Sequence, residues 1–148
     1  VSGEPYLIEY NVRMGDPECQ TILPKLKTDF GKIIEACINQ NLESINIEWN
    51  NEKSLCIVLC SKGYPEKYVN NKEIKNLDQV FLDDNEFIFH AGTKVENFKT
   101  FSNGGRVLNF VIKSNEFKKC RDKAIKLISK INWDNGFYRK DIGYKVID

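Results

Sequence analysis

The sequence predicts an α+β fold in which a strand and helices are followed by a small antiparallel sheet and a further helix. Residues 6–12 alternate between apolar and polar side chains, as a strand does, whereas residues 17–40 repeat their apolar side chains at helical spacing. From residue 45 onward, short apolar or alternating runs separated by turn residues indicate several strands. The change of pattern predicts a boundary between two domains, residues 1–42 and 43–148.

Composition narrows the classes of function. The 148 residues include 22 basic and 21 acidic side chains, for a net charge of +1. This balance gives no electrostatic reason to expect a nucleic acid or an anionic membrane as partner, and no apolar run approaches the ~20 residues of a membrane span. The five cysteines lie mostly in apolar stretches, where cysteine behaves as a small buried hydrophobe, so we predict a reducing, cytoplasmic environment.

The first strand is expected to lack its partner. Residues 2–5, Ser-Gly-Glu-Pro, are typical of a hairpin turn leading into the strand at residues 6–12. Almost nothing precedes that turn in the sequence, so we expect the neighbouring strand to belong to sequence outside this chain. The strand should then be an unpaired edge, or it should pair with another polypeptide.

Two helices are predicted to follow this strand. Asp16 is expected to cap a short helix over residues 17–23, with Pro17 in its first turn. Pro24 would interrupt it, and a longer helix is predicted within residues 25–40. Its apolar stripe consists of Phe30, Ile33, Ile34, Cys37 and Ile38.

The second half predicts an antiparallel sheet and one long helix. Residues 102–105, Ser-Asn-Gly-Gly, are typical of a hairpin turn. Residues 66–78 are mostly polar and predict a loop or a marginal helix. A helix over residues 115–132 should be capped by Ser114 and should bury Phe117, Cys120, Ala124, Leu127, Ile128 and Ile131. The predicted strands are residues 45–49, 54–61, 86–90, 99–101 and 106–113.

The residues with the clearest chemical meaning are Glu9, Asn11 and Arg13, which share one face of the predicted first strand. Carboxylate and amide oxygens are the ligands that Mg²⁺ prefers. An adjacent arginine can bind a phosphoryl or acyl-phosphate oxygen through bidentate hydrogen bonds. The pattern therefore indicates a metal and phosphate site, although a solvated polar strand face would give the same alternation.

Six blocks of sequence carry a resemblance to a known family. The first runs from residue 8 to residue 18 and ends in Gly15-Asp16-Pro17-Glu18. The other blocks are Leu23-Pro24-Lys25-Leu26-Lys27-Thr28-Asp29, Gly63-Tyr64-Pro65, His90-Ala91-Gly92-Thr93, Gly104-Gly105-Arg106-Val107-Leu108 and Arg139-Lys140-Asp141-Ile142-Gly143. In their order and spacing, the six blocks resemble the C-terminal portion of the glycinamide ribonucleotide synthetases (phosphoribosylamine–glycine ligases), which are ATP-grasp enzymes.

The resemblance implies a role for particular residues. Glu9 and Asn11 match the family's ligands for ATP-bound Mg²⁺ (or Mn²⁺), and Arg13 matches an arginine that stabilises the transferred phosphoryl group. Asp16 is expected to bind the amino group of glycine or of 5-phosphoribosylamine, and Arg106 a phosphate. The implied partners are ATP, glycine, 5-phosphoribosylamine and the N-terminal part of the same enzyme, with residues 1–42 forming the end of the ATP-grasp domain.

Some interpretations stay open at the level of sequence. Glu18 is expected to act mainly through its charge at a helix N-terminus, and His90 to make a structural hydrogen bond rather than to act as a base. Arg139, Lys140 and Asp141 form either a surface ion cluster or a contact with the rest of the enzyme. For the chain as a whole, the alternatives are another ATP-grasp carboxylate ligase and a non-catalytic interaction module.

Overall fold

The computed structural model describes residues 3–10 and 12–147 and confirms the mixed α+β class with antiparallel sheets. No helix in these two ranges is long and apolar enough to cross a membrane. The helices are α1 (Glu18–Ile22), α2 (Phe30–Ile38), α3 (Phe117–Ile128) and α4 (Tyr144–Ile147), with 3-10 turns at Leu23–Lys25, Leu42–Ser44 and Leu77–Gln79. The strands are β1 (Lys53–Ser61), β2 (Glu73–Ile74), β3 (Glu86–His90), β4 (Thr93–Glu96), β5 (Lys99–Ser102), β6 (Arg106–Ser114) and β7 (Gly136–Phe137).

The core lies between α3 and one face of the larger sheet, whose strand order is β3-β6-β1-β7. Leu55 on β1 is opposite Ile112 on β6, and Ile57 is opposite Phe110, so these side chains share a face. The predicted inward stripe of α3 is confirmed, because Phe117 and Ile131 pack against the same core. The fully buried members of that stripe are Cys120, Ala124, Leu127 and Ile128.

The opposite face of this sheet supports α1, which contacts β1 and β6. Val58 lies opposite Asn109 in the register, and both belong to this second face. Asn109 is completely buried there, although its neighbours along β6 are apolar. A buried amide in an apolar strand needs hydrogen-bond partners, and this one lies beside the candidate site.

The smaller sheet has the strand order β2-β5-β4 and corrects two sequence predictions. Residues 66–78 contain β2 and not only a loop. Residues 102–105 do not form a hairpin, because β5 and β6 belong to different sheets. The reason is that the carbonyl oxygens of Gly104 and Gly105 accept hydrogen bonds from Ser61 at the end of β1 (2.8 Å each), which directs the chain across to the larger sheet.

The two N-terminal helices are confirmed, but the predicted cap of the first is wrong. Pro17 is the N-cap of α1, and no side chain caps it. The Asp16 carboxylate instead faces Gln20 and Arg106. In α2, Asp29 is the N-cap and accepts hydrogen bonds from the next backbone amides, as the capping rule requires.

Two predicted strands are not strands in the structure. Residues 45–49 belong to neither sheet and are joined to residues 25–28 by a bridge between Leu26 and Trp49 and by hydrogen bonds, including one from the Lys27 amide to the Glu48 carbonyl at 2.9 Å. Residues 6–10 and 12 are not in strands and belong to neither of the two sheets. The side chains of this segment are exposed, with Ile8 at 94% and Val12 at 92%, which agrees with the expectation that the segment lacks a partner strand in this chain.

At the start of α3 the cap also differs from the prediction. The helix begins at Phe117, three residues after Ser114, and Glu116 is the N-cap without a side-chain hydrogen bond. The strand β6 extends to Ser114 itself, which pairs with Lys53. Ser114 therefore ends a strand and does not start the helix. Two further strands, β4 and β7, are absent from the sequence prediction.

Candidate functional site

A polar groove of about 480 Å³ contains most of the predicted site residues. The predicted metal ligand Glu9, the predicted catalytic Arg13, and the predicted substrate-binding Asp16 and Arg106 all line it. Gly15 and Glu18 complete the described lining. Asn11, the second predicted metal ligand, lies outside the described residues. The structure thus brings together side chains that are 97 residues apart in sequence (Arg106 minus Glu9).

An ion pair between Asp16 and Arg106 connects the two halves of the groove. Arg106 Nε lies 3.1 Å from Asp16 Oδ2, and Arg106 Nη1 donates to the backbone oxygen of Asp16 at 3.2 Å. Their side chains are 41% and 36% exposed, so a pair of this kind adds only about 0–1 kcal/mol to stability. Its significance is geometric, because it fixes the turn before α1 against the first residue of β6.

Gly15 leaves room for the Glu18 side chain, which folds back over the turn. A Cβ at Gly15 would lie 2.2 Å from Glu18 Oε2, so a larger residue here would require the Glu18 carboxylate to shift. The Gly15 carbonyl also accepts a hydrogen bond from the Cys19 amide at 2.8 Å.

Arg13 is exposed at the mouth of the groove. Its Nη1 donates to the adjacent carbonyl of Met14 at 3.2 Å. One contact with a neighbouring residue leaves further guanidinium N–H groups for a ligand, since an arginine carries five donors. Arg13 can therefore bind an anionic oxygen without breaking a tertiary ion pair described in this chain.

The donor set fits Mg²⁺ only if the metal has other ligands. Glu9 contributes a carboxylate to the groove, and Asn11 would add an amide oxygen. The described residues contain no group of three His, Cys, Asp or Glu side chains arranged to hold an ion. Mg²⁺ commonly keeps one or two carboxylates and completes its octahedron with phosphate oxygens and water, so this oxygen-only set fits a metal that arrives with a nucleotide.

The described lining of the groove contains no cysteine and no histidine. Burial raises the pKa of Cys56 to about 12, and the negative charge of Asp16 adds to that shift, so the thiol stays protonated at neutral pH and is a poor nucleophile. His90 Nδ1 lies 2.8 Å from Thr93 Oγ1 at the end of β3. This contact agrees with the structural role predicted for His90.

The cluster at Arg139 is a surface ion pair. Arg139 Nε and Nη2 lie 3.0 and 2.6 Å from the two carboxylate oxygens of Asp141. This bidentate hydrogen bond raises the pKa of Arg139 and lowers the pKa of Asp141. Both side chains are largely exposed in this chain, and a contact with the rest of the enzyme stays the alternative prediction.

Two residues of the site are absent from the sequence prediction. Gln20 Nε2 donates to Asp16 Oδ1 at 2.8 Å, and Asn109 Nδ2 lies 3.5 Å from the same oxygen. Gln20 lies in the first turn of α1, and Asp16 precedes the helix by two residues, so the contact joins the helix to the turn before it. Asn109 is the one polar residue within the apolar run from Val107 to Ile112. The position of Gln20 and the polar character of Asn109 are both visible in the sequence, but they indicate a site only once Asp16 is known to belong to it.

The fold and the groove define the class of this chain: a mixed α+β domain whose surface carries a polar groove lined by charged side chains. A family described as "Phosphoribosylglycinamide synthetase, C domain" matches residues 54–145. The chain therefore belongs to the phosphoribosylglycinamide synthetase family.

Individual relatives carry a consistent name. A phosphoribosylamine–glycine ligase of Fusobacterium nucleatum is 43% identical over 145 residues, which is 96% of this chain and 34% of that protein. The chloroplastic phosphoribosylamine–glycine ligase of Arabidopsis thaliana is 36% identical over 99% of this chain and 28% of its own length. The crystal structure of the phosphoribosylamine–glycine ligase from Thermotoga maritima superposes with a TM-score of 0.69 at 30% identity, over 95% of this chain and 34% of that one.

The chain thus spans about a third of the length of the relatives that it matches. The resemblance noted in the sequence is confirmed, and so is its restriction to a C-terminal portion. These relatives are ligases by name.

Proposed function

We propose that this chain forms part of an ATP-dependent ligase that joins glycine to 5-phosphoribosylamine, giving glycinamide ribonucleotide, ADP and phosphate. The observation that carries the proposal is the convergence of Glu9, Arg13, Asp16 and Arg106 on one groove, in a chain of the family just described. The alternative interpretation, a solvated polar strand face, does not predict that these residues line a groove together with Arg106, which lies on β6.

The reaction proceeds in two steps. The glycine carboxylate takes the γ-phosphoryl group of ATP and becomes glycyl phosphate. The amine of 5-phosphoribosylamine then attacks the glycyl carbonyl carbon, and phosphate leaves. Bound with the nucleotide, Mg²⁺ or Mn²⁺ would neutralise phosphate charge, with Glu9 and Asn11 as its protein ligands.

Arg13 supplies the positive charge that the chain itself contributes to the first step. Charge spreads over the oxygens of the transferred phosphoryl group during such a reaction, and catalysis consists mainly of positioning and charge stabilisation. An exposed guanidinium at the mouth of the groove suits this role. Asp16 suits the amino group of glycine or of 5-phosphoribosylamine. The described contacts of Arg106 with Asp16 use Nε and Nη1, so its Nη2 suits a phosphate oxygen.

The remaining two thirds of the enzyme are the proposed macromolecular partner of this chain. The apolar stripe of α2 is exposed along much of its length, with Ile38 at 76% and Ile34 at 46%, and Ala36 is the one buried residue of this helix. An amphipathic helix normally packs its apolar face. We place this stripe and the exposed residues 6–10 and 12 against the rest of the ATP-grasp enzyme, with residues 1–42 belonging to that domain and residues 43–148 to the C-terminal one.

A cytoplasmic location is part of the proposal. All five cysteines are free thiols, as expected for a reducing compartment.

The proposal is tested by Glu9→Gln in the full-length enzyme. This change keeps the shape of the side chain and removes the charge of a metal ligand, so the Mg²⁺ concentration needed for half-maximal rate should rise, while the KM of glycine changes less. Steady-state rates across a Mg²⁺ titration measure both. Unchanged turnover at every Mg²⁺ concentration would contradict the role of Glu9 as a ligand.

A further inference from the structure

The Asp16 carboxylate is held by side chains from two separate elements. Gln20, on α1, donates to Oδ1 at 2.8 Å. Arg106, at the start of β6, binds Oδ2 at 3.1 Å and the Asp16 backbone oxygen at 3.2 Å. Asn109, also on β6, approaches Oδ1 at 3.5 Å, a distance at the outer limit of a hydrogen bond. The two carboxylate oxygens thus have different partners, and the carboxylate plane is defined.

The Gln20 amide directs its NH₂ group to Asp16, and its carbonyl oxygen is left without a described hydrogen-bond donor. Gln20 Oε1 is buried, and no partner is described for it in the chain; the same holds for Asn109 Oδ1. An unsatisfied buried acceptor destabilises a protein. An ionised carboxylate accepts hydrogen bonds and donates none, so both amides must turn their NH₂ groups toward Asp16 and leave their oxygens without donors.

The carboxylate that is held in this way remains accessible. The Asp16 side chain is 36% exposed and lines the polar groove, next to Glu18 and Arg106. Each of its oxygens can accept a further hydrogen bond. An amino group in the groove would therefore meet an acceptor whose direction is already fixed, and less rotational freedom would be lost on binding.

We propose that Gln20 is a positioning residue for the ligation, which orients the Asp16 carboxylate toward the amino group of a substrate. The inference rests on the proposed function. It deepens that function by assigning the role to a residue that touches Asp16 and does not line the groove itself. Gln20 rather than Asn109 is assigned because its contact is 0.7 Å shorter (3.5 minus 2.8 Å). The ligand chemistry is an amino group, which either glycine or 5-phosphoribosylamine supplies.

The test compares Gln20→Leu and Gln20→Met with a neighbouring variant in the full-length enzyme. Both changes preserve much of the side-chain volume and remove the NH₂ donor. The matched control is Thr21→Val, since the Thr21 hydroxyl donates to the Pro17 carbonyl at 3.0 Å within the same helix and does not touch Asp16. KM values for glycine, 5-phosphoribosylamine and ATP, and the melting temperature, are measured for each enzyme.

The expected result is a rise of about tenfold or more in the KM of one amino substrate for the Gln20 variants, because a hydrogen bond to a charged group is lost. The KM of ATP should stay at its wild-type value, and the Thr21→Val enzyme should keep wild-type KM values. Which of the two KM values rises identifies the substrate that Asp16 faces.

The inference is overturned if both Gln20 variants melt at lower temperature but keep wild-type KM values for glycine and 5-phosphoribosylamine. If Gln20→Leu fails to fold, Gln20→Met provides the measurement, because its flexible side chain adapts to the same space. Failure of the proposed function has a different signature: the wild-type enzyme itself would not join glycine to 5-phosphoribosylamine.

Discussion

Arg13 is the residue whose side chain most directly separates catalysis from a polar surface. It has one described hydrogen bond, to the adjacent Met14 carbonyl, so its contribution to folding should be small. Asp16 and Arg106 differ in this respect, because they bind each other and join two elements. Substituting Arg13 therefore tests chemistry with little disturbance of the fold.

We predict that Arg13→Ala lowers kcat about a hundredfold or more, since removing a donor directed at developing charge typically costs ~3 kcal/mol. The KM values for ATP and glycine should change little, because the interaction strengthens in the transition state. Arg13→Lys should restore only part of kcat, as it keeps the charge but loses the planar fork. Arg121→Ala is the control, because Arg121 lies on α3 and is not among the residues that line the groove. A folded Arg13→Ala enzyme with wild-type kcat would leave only a polar surface.

Among elements, β3 and α3 are joined by a charge that is almost fully buried. The Glu86 side chain is 7% exposed, and Lys123 Nζ lies 3.1 Å from its Oε1. The Asp83 backbone amide donates to its Oε2 at 3.1 Å. Both carboxylate oxygens thus face donors, and no neutral amide can satisfy both.

We predict that Glu86→Gln destabilises the 148-residue chain by about 1–3 kcal/mol, because the new NH₂ group must face either Lys123 or the Asp83 amide. Asp122→Asn is the matched control, since its pair with Lys118 is exposed on both sides and such helix pairs contribute only about 0.3–0.5 kcal/mol. Urea unfolding measures both variants. Equal losses in the two would show that the Glu86 pair has no special weight.

The same pair gives a pH dependence with a definite sign. The hydrogen bond to Glu86 raises the pKa of Lys123 above the usual 10.5. A raised pKa means that the folded state binds the proton more tightly than the unfolded state does. The stabilisation is therefore complete below the ordinary lysine range and is lost as the pH rises through the raised pKa, and the difference between wild-type and Glu86→Gln chains should shrink in alkali.

Elements with regular periodicity could be predicted from sequence, and irregular ones could not. The strand β1 and the inward face of α3 follow from alternation and helical spacing, because each packs one face against the core. The strand β6 follows from its continuous apolar run, because both of its faces are buried. The segment at residues 45–49 alternates equally well, yet its bridge and hydrogen bonds to residues 25–28 do not extend into a strand of either sheet. Periodicity reports which side chains seek burial, and it does not report whether a partner strand is present.

The candidate site follows the same division. Glu9, Arg13, Asp16 and Arg106 were predicted, and they line one groove. The contact between Asp16 and Arg106 could not be derived from spacing, since it depends on how α1 lies across β6. Asp16 was also assigned to a cap, because an aspartate before a short helix usually has that role. Here a tertiary ion pair replaces the local bond.

At the scale of the whole molecule, the apolar stripe of α2 is notable because this chain leaves much of it exposed to solvent. Several apolar side chains lie on that stripe, but the chain buries little of them. Residues 6–10 and 12 are exposed as well. Both surfaces precede the part of the chain that the family's C domain matches, residues 54–145. This position is the reason for proposing, above, that they contact the rest of the enzyme.

The last prediction concerns Ile38, which is 76% exposed on α2. Ile38→Lys should change the unfolding free energy of the 148-residue chain by less than about 0.5 kcal/mol, because a surface substitution removes little packing. In the enzyme of full length it should lower the melting temperature clearly, since an unpaired ammonium would be buried at the contact. Val95→Lys on β4 is the control, as Val95 is 69% exposed but lies on the smaller sheet. Thermal unfolding of both chain lengths decides, and equal melting temperatures for wild-type and Ile38→Lys full-length enzymes would exclude α2 from that contact.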